Sequence, residues 1–284
     1  MIEMWLKGKA PSTVENYLFE LRGFFEWFES YAPAAGLGRP GLENLTTDIF
    51  SLYIHEILMY RSKSKRARAR FALGSLFRFL AKTGTIKKNP FDLIPSIKVE
   101  SRVFDRYLSR EQVLKMISLE SHPRNRLILK CLYQGAFRVS ELVGIRFSDL
   151  SYAERDQMMF VAVIGKGSKP RTVGLYGSVV HDLRAHRLAN ESMSEFVFFS
   201  REEGHPHINK TRVNEIVSRA AWRAGIAKKV SPHWLRHAHA SHAIEKGAPL
   251  HLVRDTLGHS SAQTTGIYLD VNPEESSSDY LLDL

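Results

Sequence analysis

Apolar residues recur every three or four positions through much of the chain, a spacing that is typical of amphipathic helices. The first such segment covers residues 12–30, with Ser12 as its expected N-cap. A loop rich in proline and glycine follows at residues 32–41, and further helices are expected over residues 48–60 and 64–82. The apolar positions of the first helix are Val14, Leu18, Leu21, Phe24, Phe25 and Phe28.

The second half of the chain adds a short β pattern to its helices. The segment from Ser109 to Gln112 has the spacing of a capping box and predicts a helix start. Residues 157–164 are apolar and β-prone, and residues 171–175 form a second short strand, so the glycine-rich turn between them predicts a hairpin. The other expected helices cover residues 123–136, 140–147, 178–190, 209–224, 232–246, 249–257 and 262–268.

These elements predict a mainly α (α+β) protein of two domains. Residues 1–95 form a small all-α domain, residues 96–106 a linker, and residues 107–284 a helical domain with a small antiparallel sheet. A chain of 284 residues with 44% hydrophobic residues is large enough to bury two ordinary cores.

Charge points to a polyanionic partner. The net charge is +10 and the isoelectric point is near 9.7. Residues 61–91 contain ten lysines and arginines and no aspartate or glutamate, whereas an ordinary solvated surface mixes the two signs. Arg66 and Arg70 are expected opposite the apolar side of the third helix, although a solvated basic face is the alternative. That apolar side is expected to consist of Phe71, Leu73, Leu76, Phe77 and Leu80.

The cysteine content and the hydropathy argue against a disulfide-bonded, a membrane-spanning and a secreted protein. Cys131 is the single cysteine and lies in an apolar run. We therefore expect its side chain to be buried as a small hydrophobic group and to form no internal disulfide. No stretch approaches the roughly 20 apolar residues of a membrane span, and the N-terminal segment lacks the apolar core of a signal peptide. We therefore expect a cytoplasmic protein.

The chemistry is concentrated near the C-terminal end. Ser231 and Pro232 are an expected N-cap and first-turn pair, which places His233 and Arg236 on one face near the positive end of a helix. Such a position favours an anion, for example a phosphodiester. A glycine, His259 and Tyr268 follow. Together these residues indicate phosphoryl transfer without a metal, with a tyrosine as nucleophile.

Four separate boxes in this chain resemble those of the tyrosine recombinases, the Xer and phage-integrase family. The C-terminal pair is His233-x-x-Arg236-His237 and Leu257-Gly258-His259, with Tyr268 behind it. Earlier in the chain, Phe137-Arg138-Val139-Ser140-Glu141-Leu142 resembles the family's first arginine box, and Gly165-Lys166-Gly167-Ser168-Lys169-Pro170-Arg171 its lysine-bearing hairpin. The boxes occur in the family's order over about residues 105–270. The resemblance is to a simple, Xer-like member.

The resemblance implies a role for each matched residue. Arg138 and Arg236 would clamp the scissile phosphate, because a guanidinium offers two donors in a fixed fork. Tyr268 would attack the phosphorus, with His233 accepting its proton. Lys166 would protonate the 5′-oxygen that leaves, with Lys169 and Arg171 as rivals for this role, and His259 would bond a non-bridging oxygen. Glu141 either pairs with Arg138 or orients it. The expected DNA contacts are Arg61, Lys63, Lys65, Arg66, Arg70, Lys169 and Arg171.

The implied partner is duplex DNA carrying an inverted-repeat site, held between a core-binding domain at residues 1–95 and a catalytic domain. The resemblance also implies a homotetramer on two sites, and it leaves a second recombinase or accessory protein open. The family's first helix is expected to be truncated or missing before Pro11. The segment after Asn272 is expected to form a short helix that docks on a neighbouring protomer or on its own domain.

Three alternatives stay open at this point. A non-catalytic DNA-binding protein could retain the same fold. A metal-dependent nuclease is a second possibility, and a zinc site among His233, His237, His239 and His242 is a third. No cofactor or metal is expected, because no carboxylate stands between the first two histidines and Arg236 would repel a cation.

Overall fold

The computed structural model describes residues 1–38, 41–99, 107–153, 158–165, 170–200, 202 and 204–258, apart from the side chain of Glu43. The chain divides into two compact units, Met1–Ser101 and Arg102–Leu284. The expected helices at residues 262–268 and after Asn272 lie outside the described residues. None of the helices that are described combines the length and the apolar character needed to cross a membrane.

The described residues of the first unit contain four α-helices. A five-residue helix precedes Pro11, so the expected truncated first helix is present, and Trp5 on it is buried. The second helix begins at Pro11 with Ala10 as N-cap, not Ser12, because proline suits the first helical turn. It also continues into the expected loop, as far as Ala34. The helices are α1 (Ile2–Leu6), α2 (Pro11–Ala34), α3 (Thr47–Leu52), which continues as a π-helical turn (Tyr53–Ile57), and α4 (Lys63–Lys82).

Aromatic rings fill the centre of the first unit. Phe24 stacks on Phe50 with ring centroids 4.8 Å apart and meets the ring of Tyr53 edge-on at 5.0 Å. Phe50 in turn contacts Phe77 and Phe91. Offset and edge-to-face contacts of this kind add to the gain from burial. The core therefore joins α2, α3, α4 and the segment after α4.

The orientation of α4 differs from the expectation. Phe71 is 61% exposed, whereas Leu73, Leu76, Phe77 and Leu80 are buried as predicted. Arg66 stands seven residues before Leu73, and Arg70 stands three before Leu73 and seven before Phe77, so the helical repeat places both arginines on the buried side. The prediction that these arginines lie opposite the core was wrong. Polarity alone assigned them to solvent, but their long stems reach across the core margin.

The second unit is a bundle of helices around one small sheet. Its first helix starts with the predicted capping box, in which the Ser109 hydroxyl accepts from the Gln112 amide and the Gln112 side chain accepts from the Ser109 amide. The helices are α5 (Arg110–Ser118), α6 (Pro123–Gln134), α7 (Val139–Gly144), α8 (Ser178–Asn190), α9 (Lys210–Arg223), α10 (Pro232–Glu245) and α11 (Leu250–Leu257).

The sheet is antiparallel and has the strand order β1-β2-β3. Strands β2 and β3 form the predicted hairpin, with Val161 opposite Val173 in the middle of the pair. The pattern did not predict β1, which pairs Leu150 with Val161. The strands are β1 (Leu150–Ala153), β2 (Met158–Ile164) and β3 (Pro170–Leu175). The fold class predicted from the sequence is confirmed.

Buried aliphatic side chains of the sheet and the helices form the main core of the second unit. Cys131 is part of that core, as expected, and burial raises the pKa of its thiol to about 12. Ser231 occupies the N-cap position of α10, but its side chain makes no capping hydrogen bond there. Pro232 at the first turn fits this helix start instead, because it has no amide hydrogen that needs an acceptor.

Candidate active site

Arg236 lies inside the second unit. It is on the second turn of α10, and only 1% of its surface is exposed. One terminal nitrogen donates to the carbonyl oxygen of Ala136 at 2.5 Å, and the other donates to the carbonyl of Leu257. A buried guanidinium must satisfy its donors, and here main-chain carbonyls from two distant segments do so. Arg236 therefore joins the loop before α7 to the end of α11.

The loop that receives Arg236 has an uncommon backbone. Ala136 has a positive φ of 47°, which alanine rarely adopts, and it is completely buried. A Cβ on Gly135 would come within 2.2 Å of the Phe137 ring, so only glycine fits beneath that ring. The packing around Phe137 thus fixes a backbone bend whose carbonyl accepts from Arg236.

Arg138 follows this bend at the start of α7 and is partly exposed, with 28% of its side chain accessible. One terminal nitrogen donates to Glu141 Oε1 at 2.8 Å, and the other donates to the carbonyl oxygen of Gly258 at 3.2 Å. The main-chain amide of Arg138 donates to Glu141 Oε2 at 2.8 Å. Because Leu257 and Gly258 are adjacent, the guanidiniums of Arg138 and Arg236 converge on one turn.

Glu141 is a buried carboxylate with several donors around it. Burial by itself raises the pKa of this carboxyl, but hydrogen bonds from Arg171 and from the amide and guanidinium of Arg138 lower the pKa to about 2. Glu141 therefore stays ionised at neutral pH. Of the two interpretations that the sequence left open, the structure shows the pairing of Glu141 with Arg138, and the orientation of Arg138 toward DNA stays a prediction.

Arg171, which the sequence suggested as a DNA contact, is used within the protein. Its two terminal nitrogens donate to the two oxygens of Glu141 at 2.8 Å each, and its Nε donates to the carbonyl oxygen of Thr256 at 2.9 Å. Only 11% of its side chain is exposed. This geometry favours an internal role over the expected phosphate contact.

Gly258 ends α11 with a left-handed backbone, at φ 61°. A side chain there would be strained, and its Cβ would stand 3.1 Å from Cδ of Arg171. The glycine in the Leu257-Gly258-His259 box is therefore required for two reasons. It turns the chain after α11 and leaves room for the Arg171 stem.

The histidines of α10 take different positions from one another. His233 is exposed on the first turn, and its ring meets that of the buried His237 at a centroid distance of 4.2 Å. His242 is buried, with Nδ1 2.9 Å from the Tyr133 hydroxyl and Nε2 3.0 Å from the Leu108 carbonyl oxygen. Burial lowers the pKa of His239 to about 4 and lowers that of His242 as well.

In the part of the chain that the structure describes, there is no group of three or more histidine, cysteine, aspartate or glutamate side chains that could hold a metal ion. The helix places His233 and Arg236 on its first two turns, as predicted, but the arginine turns inward and the histidine outward. The remaining predicted site residues, Lys166, Lys169, His259 and Tyr268, lie outside the described residues, and their roles stay predictions.

The basic residues suggested as DNA contacts in the first unit also separate into two groups. Arg61 pairs with the buried Glu20 at 3.1 Å. Arg66 donates to the carbonyl oxygen of Ile54 at 3.1 Å, and Arg70 donates to the carbonyl of Ile94. In contrast, the side chains exposed to solvent in this stretch include Lys63, Lys65, Arg68, Arg78 and Lys82. Contact with DNA remains a prediction for the five residues suggested in this unit, namely Arg61, Lys63, Lys65, Arg66 and Arg70.

Sequence comparisons place these observations in a family. Residues 106–275 match the phage integrase family. The chain is 30% identical over 280 residues to a tyrosine recombinase XerC of Thermodesulfovibrio yellowstonii, covering 94% of this chain and 88% of that protein. It is 26% identical to a tyrosine recombinase XerA of Pyrococcus horikoshii, over 94% of this chain and 85% of that one.

Solved structures share the fold at lower identity. A XerH site-specific recombinase in a post-cleavage complex with palindromic difH substrate superposes with a TM-score of 0.76 and 21% identity, covering 95% of this chain and 79% of that chain. A lambda integrase tetramer bound to a Holliday junction gives a TM-score of 0.71 and 19% identity, covering 97% and 79%.

Proposed function

The chain belongs to the phage integrase family, and we propose that its Tyr268 cuts duplex DNA by forming a 3′-phosphotyrosyl link. The protein is a site-specific tyrosine recombinase, an enzyme that cleaves and rejoins DNA. The observation that carries the residue assignments is the convergence of Arg138 and Arg236 on the turn at Leu257 and Gly258. That turn leads directly into His259.

The two arginines suit the charge that develops during phosphoryl transfer. The pentacoordinate transition state gathers negative charge on the non-bridging oxygens. In many enzymes, preorganised hydrogen-bond donors that stabilise such charge make the largest contribution to the rate enhancement. Arg138 is held by Glu141 and Gly258 with 28% of its side chain exposed, so it needs little reorganisation when DNA binds. Arg236 is fixed by two carbonyls but almost fully buried, so it must become accessible before its remaining N–H groups meet the phosphate. Two guanidiniums that are fixed in this way would then do the work that a metal ion performs in other nucleases.

Each bond change has a donor and an acceptor among the proposed residues. The phenol oxygen of Tyr268 attacks the phosphorus, and its proton passes to His233, which is exposed on the first turn of α10. The bond from phosphorus to the 5′-oxygen breaks, and Lys166 gives that oxygen a proton. A 5′-hydroxyl of a partner strand then reverses both steps. The covalent link conserves the bond energy, so ATP is not required.

The test is covalent capture of DNA. A pool of duplexes with random sequence around a single nick is incubated with the protein in excess EDTA, and adducts that survive denaturation are isolated and sequenced. We expect an enriched inverted repeat in the adducts from the native chain and no adduct from Tyr268→Phe, which should still bind the enriched site. The non-catalytic alternative predicts binding without any adduct. An adduct that requires magnesium or zinc would overturn the metal-free mechanism.

We further propose that duplex DNA with an inverted repeat is the substrate and that four copies act on two such sites. A lambda integrase of the same fold is a tetramer on a Holliday junction, which supports this assembly by analogy of fold alone. Sedimentation of Tyr268→Phe on the enriched site tests it. Two protomers per site that become four when two sites associate would support the tetramer, and a monomeric complex would exclude it.

A further inference from the structure

We propose that Arg171 is a positioning residue that fixes two parts of the active site at once. It holds Arg138 by way of Glu141, and it holds the turn at Thr256 to Gly258 that leads to His259. The proposal rests on the recombinase function above, because it takes Arg138 and His259 as the groups that bind phosphate.

Each of the three guanidinium nitrogens of Arg171 donates a hydrogen bond within the protein. Both terminal nitrogens face the carboxylate of Glu141, and Nε faces the Thr256 carbonyl oxygen at 2.9 Å. The Arg171 stem also lies against Gly258, where the absence of a side chain admits it. One side chain therefore links strand β3, the start of α7 and the end of α11. Since β3 begins four residues after Lys166 in the sequence and pairs with β2, the same contact also anchors the base of the β2–β3 hairpin.

Charge explains why an arginine is needed at this position. Glu141 is buried and ionised, so its negative charge must be compensated within the protein. If Arg138 were its only partner, the two charges would cancel and little attraction would remain for a phosphate. Arg171 supplies the second positive charge. With one carboxylate between two guanidiniums, Arg138 keeps a net positive field toward DNA while Glu141 holds its geometry.

The fork of the guanidinium matters as much as its charge. A lysine at position 171 could approach one Glu141 oxygen, but it could not donate to both oxygens and to the Thr256 carbonyl oxygen in fixed directions. The turn before His259 would then lose one of its attachments. A displacement of about 1 Å in a catalytic group can cost on the order of 100-fold in rate.

The experiment compares Arg171→Lys with Arg187→Lys as a matched control. Arg187 on α8 makes a two-pronged pair with Glu191, the C-cap residue of that helix, at 2.9 and 2.6 Å, but 38% and 48% of the two side chains are accessible. Three quantities are measured on the nicked duplex: the dissociation constant, the rate of adduct formation, and the melting temperature of the free protein. We expect Arg171→Lys to slow adduct formation about 100-fold while its dissociation constant stays within about threefold of the native value. Arg187→Lys should change neither the rate of adduct formation nor the dissociation constant.

A rescue variant separates a positioning role from a structural one. Arg171→Gln leaves the Glu141 charge compensated by Arg138 alone, so it should be slower than Arg171→Lys. Adding Glu141→Gln removes that charge and should restore part of the lost rate, because Arg138 is again free to attract phosphate. If Arg171 only stabilised the fold, binding, rate and melting temperature would fall together, and the second substitution would not help.

The outcomes also distinguish this proposal from the function on which it rests. If the native chain formed no covalent adduct with DNA, the proposed function itself would be contradicted. A native chain that forms the adduct, together with an Arg171→Lys variant of equal rate, would overturn only the role of Arg171.

Discussion

The interiors of the two units differ in kind. The first unit is filled with aromatic rings around Phe24 and Phe50, and Glu20 is the buried charged residue among its described positions. The second unit has an aliphatic core, but it also buries Arg236, Glu141 and several polar or charged neighbours. Buried charge costs free energy unless donors and acceptors match, whereas packed rings stabilise a fold directly. The stability of the second interior therefore depends on matched donors and acceptors, and the same hydrogen bonds fix the positions of its charged groups.

Removing a central ring should have the largest effect on the first unit. Phe24→Ala deletes contacts with Phe50 and Tyr53 and leaves a cavity, so we expect its free energy of unfolding to fall by about 3 to 5 kcal/mol. Phe19→Ala, at a side chain that is 63% exposed on the same helix, should change it by less than about 0.5 kcal/mol. Urea unfolding measures both changes when Trp222 and Trp234 are replaced by phenylalanine, so that only Trp5 and Trp27 of the first unit fluoresce. Equal losses in the two variants would contradict an aromatic core as the source of stability.

Acid should affect the second unit first. Burial lowers the pKa of His239 to about 4, so the unfolded chain binds more protons than the folded chain between about pH 6.5 and 4. The second unit should lose up to about 3 kcal/mol of stability as the pH falls through this window, and the lowered pKa values of His242 and His186 add to the loss. The Glu141 contribution, present above about pH 4.5, is lost only as the pH falls further towards 2.

The first unit contains His55 as its one histidine, at an exposed position, so its unfolding should change little over the same window. With Trp5 and Trp27 replaced by phenylalanine, the fluorescence of Trp222 and Trp234 follows the second unit, and the reciprocal replacement leaves Trp5 and Trp27 to follow the first. His239→Asn should flatten the pH dependence, and His181→Asn, at an exposed position on α8, should not. Parallel acid transitions in both units would contradict the proposed contrast.

The smallest effect concerns the arginines of α4. Arg68 and Arg78 are exposed, whereas Arg66 donates to the carbonyl oxygen of Ile54. Each phosphate contact that is lost should reduce the slope of log K against log salt by about 0.9. We expect Arg68→Gln and Arg78→Gln to reduce the slope for site binding. Arg66→Gln should lower the melting temperature with little change in slope, and the opposite result would assign DNA contact to Arg66.

Periodicity predicted most helices because large apolar residues recur at the helical repeat, as Leu21, Phe24 and Phe28 do on α2. It did not predict β1, since four residues are too few to show an alternating pattern. The side assigned to Arg70 was wrong because polarity was given more weight than spacing. The polarity of arginine describes its guanidinium, which needs water or a hydrogen-bond acceptor. The long aliphatic stem can bring the guanidinium to such a partner even when the Cα lies on the buried side of the helix.

The site could be predicted only in part. Local boxes identified Arg138 and Arg236, because residue type and order carried the resemblance. The role of Arg171 could not be read in this way, since its partner Glu141 lies 30 residues earlier and the pairing follows from tertiary packing. One signal was present in the sequence: the glutamate three residues after Arg138 has the spacing that returns a carboxylate to a helix start.

The bond from Arg138 to the Gly258 carbonyl spans 120 residues of sequence. A ribosome releases Arg138 long before it has made α10 or the turn that follows α11. The nascent chain thus carries Arg138 without Arg236, and without the carbonyl oxygens of Leu257 and Gly258 to which these two arginines donate. Under the proposed function, the order of synthesis alone keeps the phosphate site incomplete until the chain has been made past Gly258.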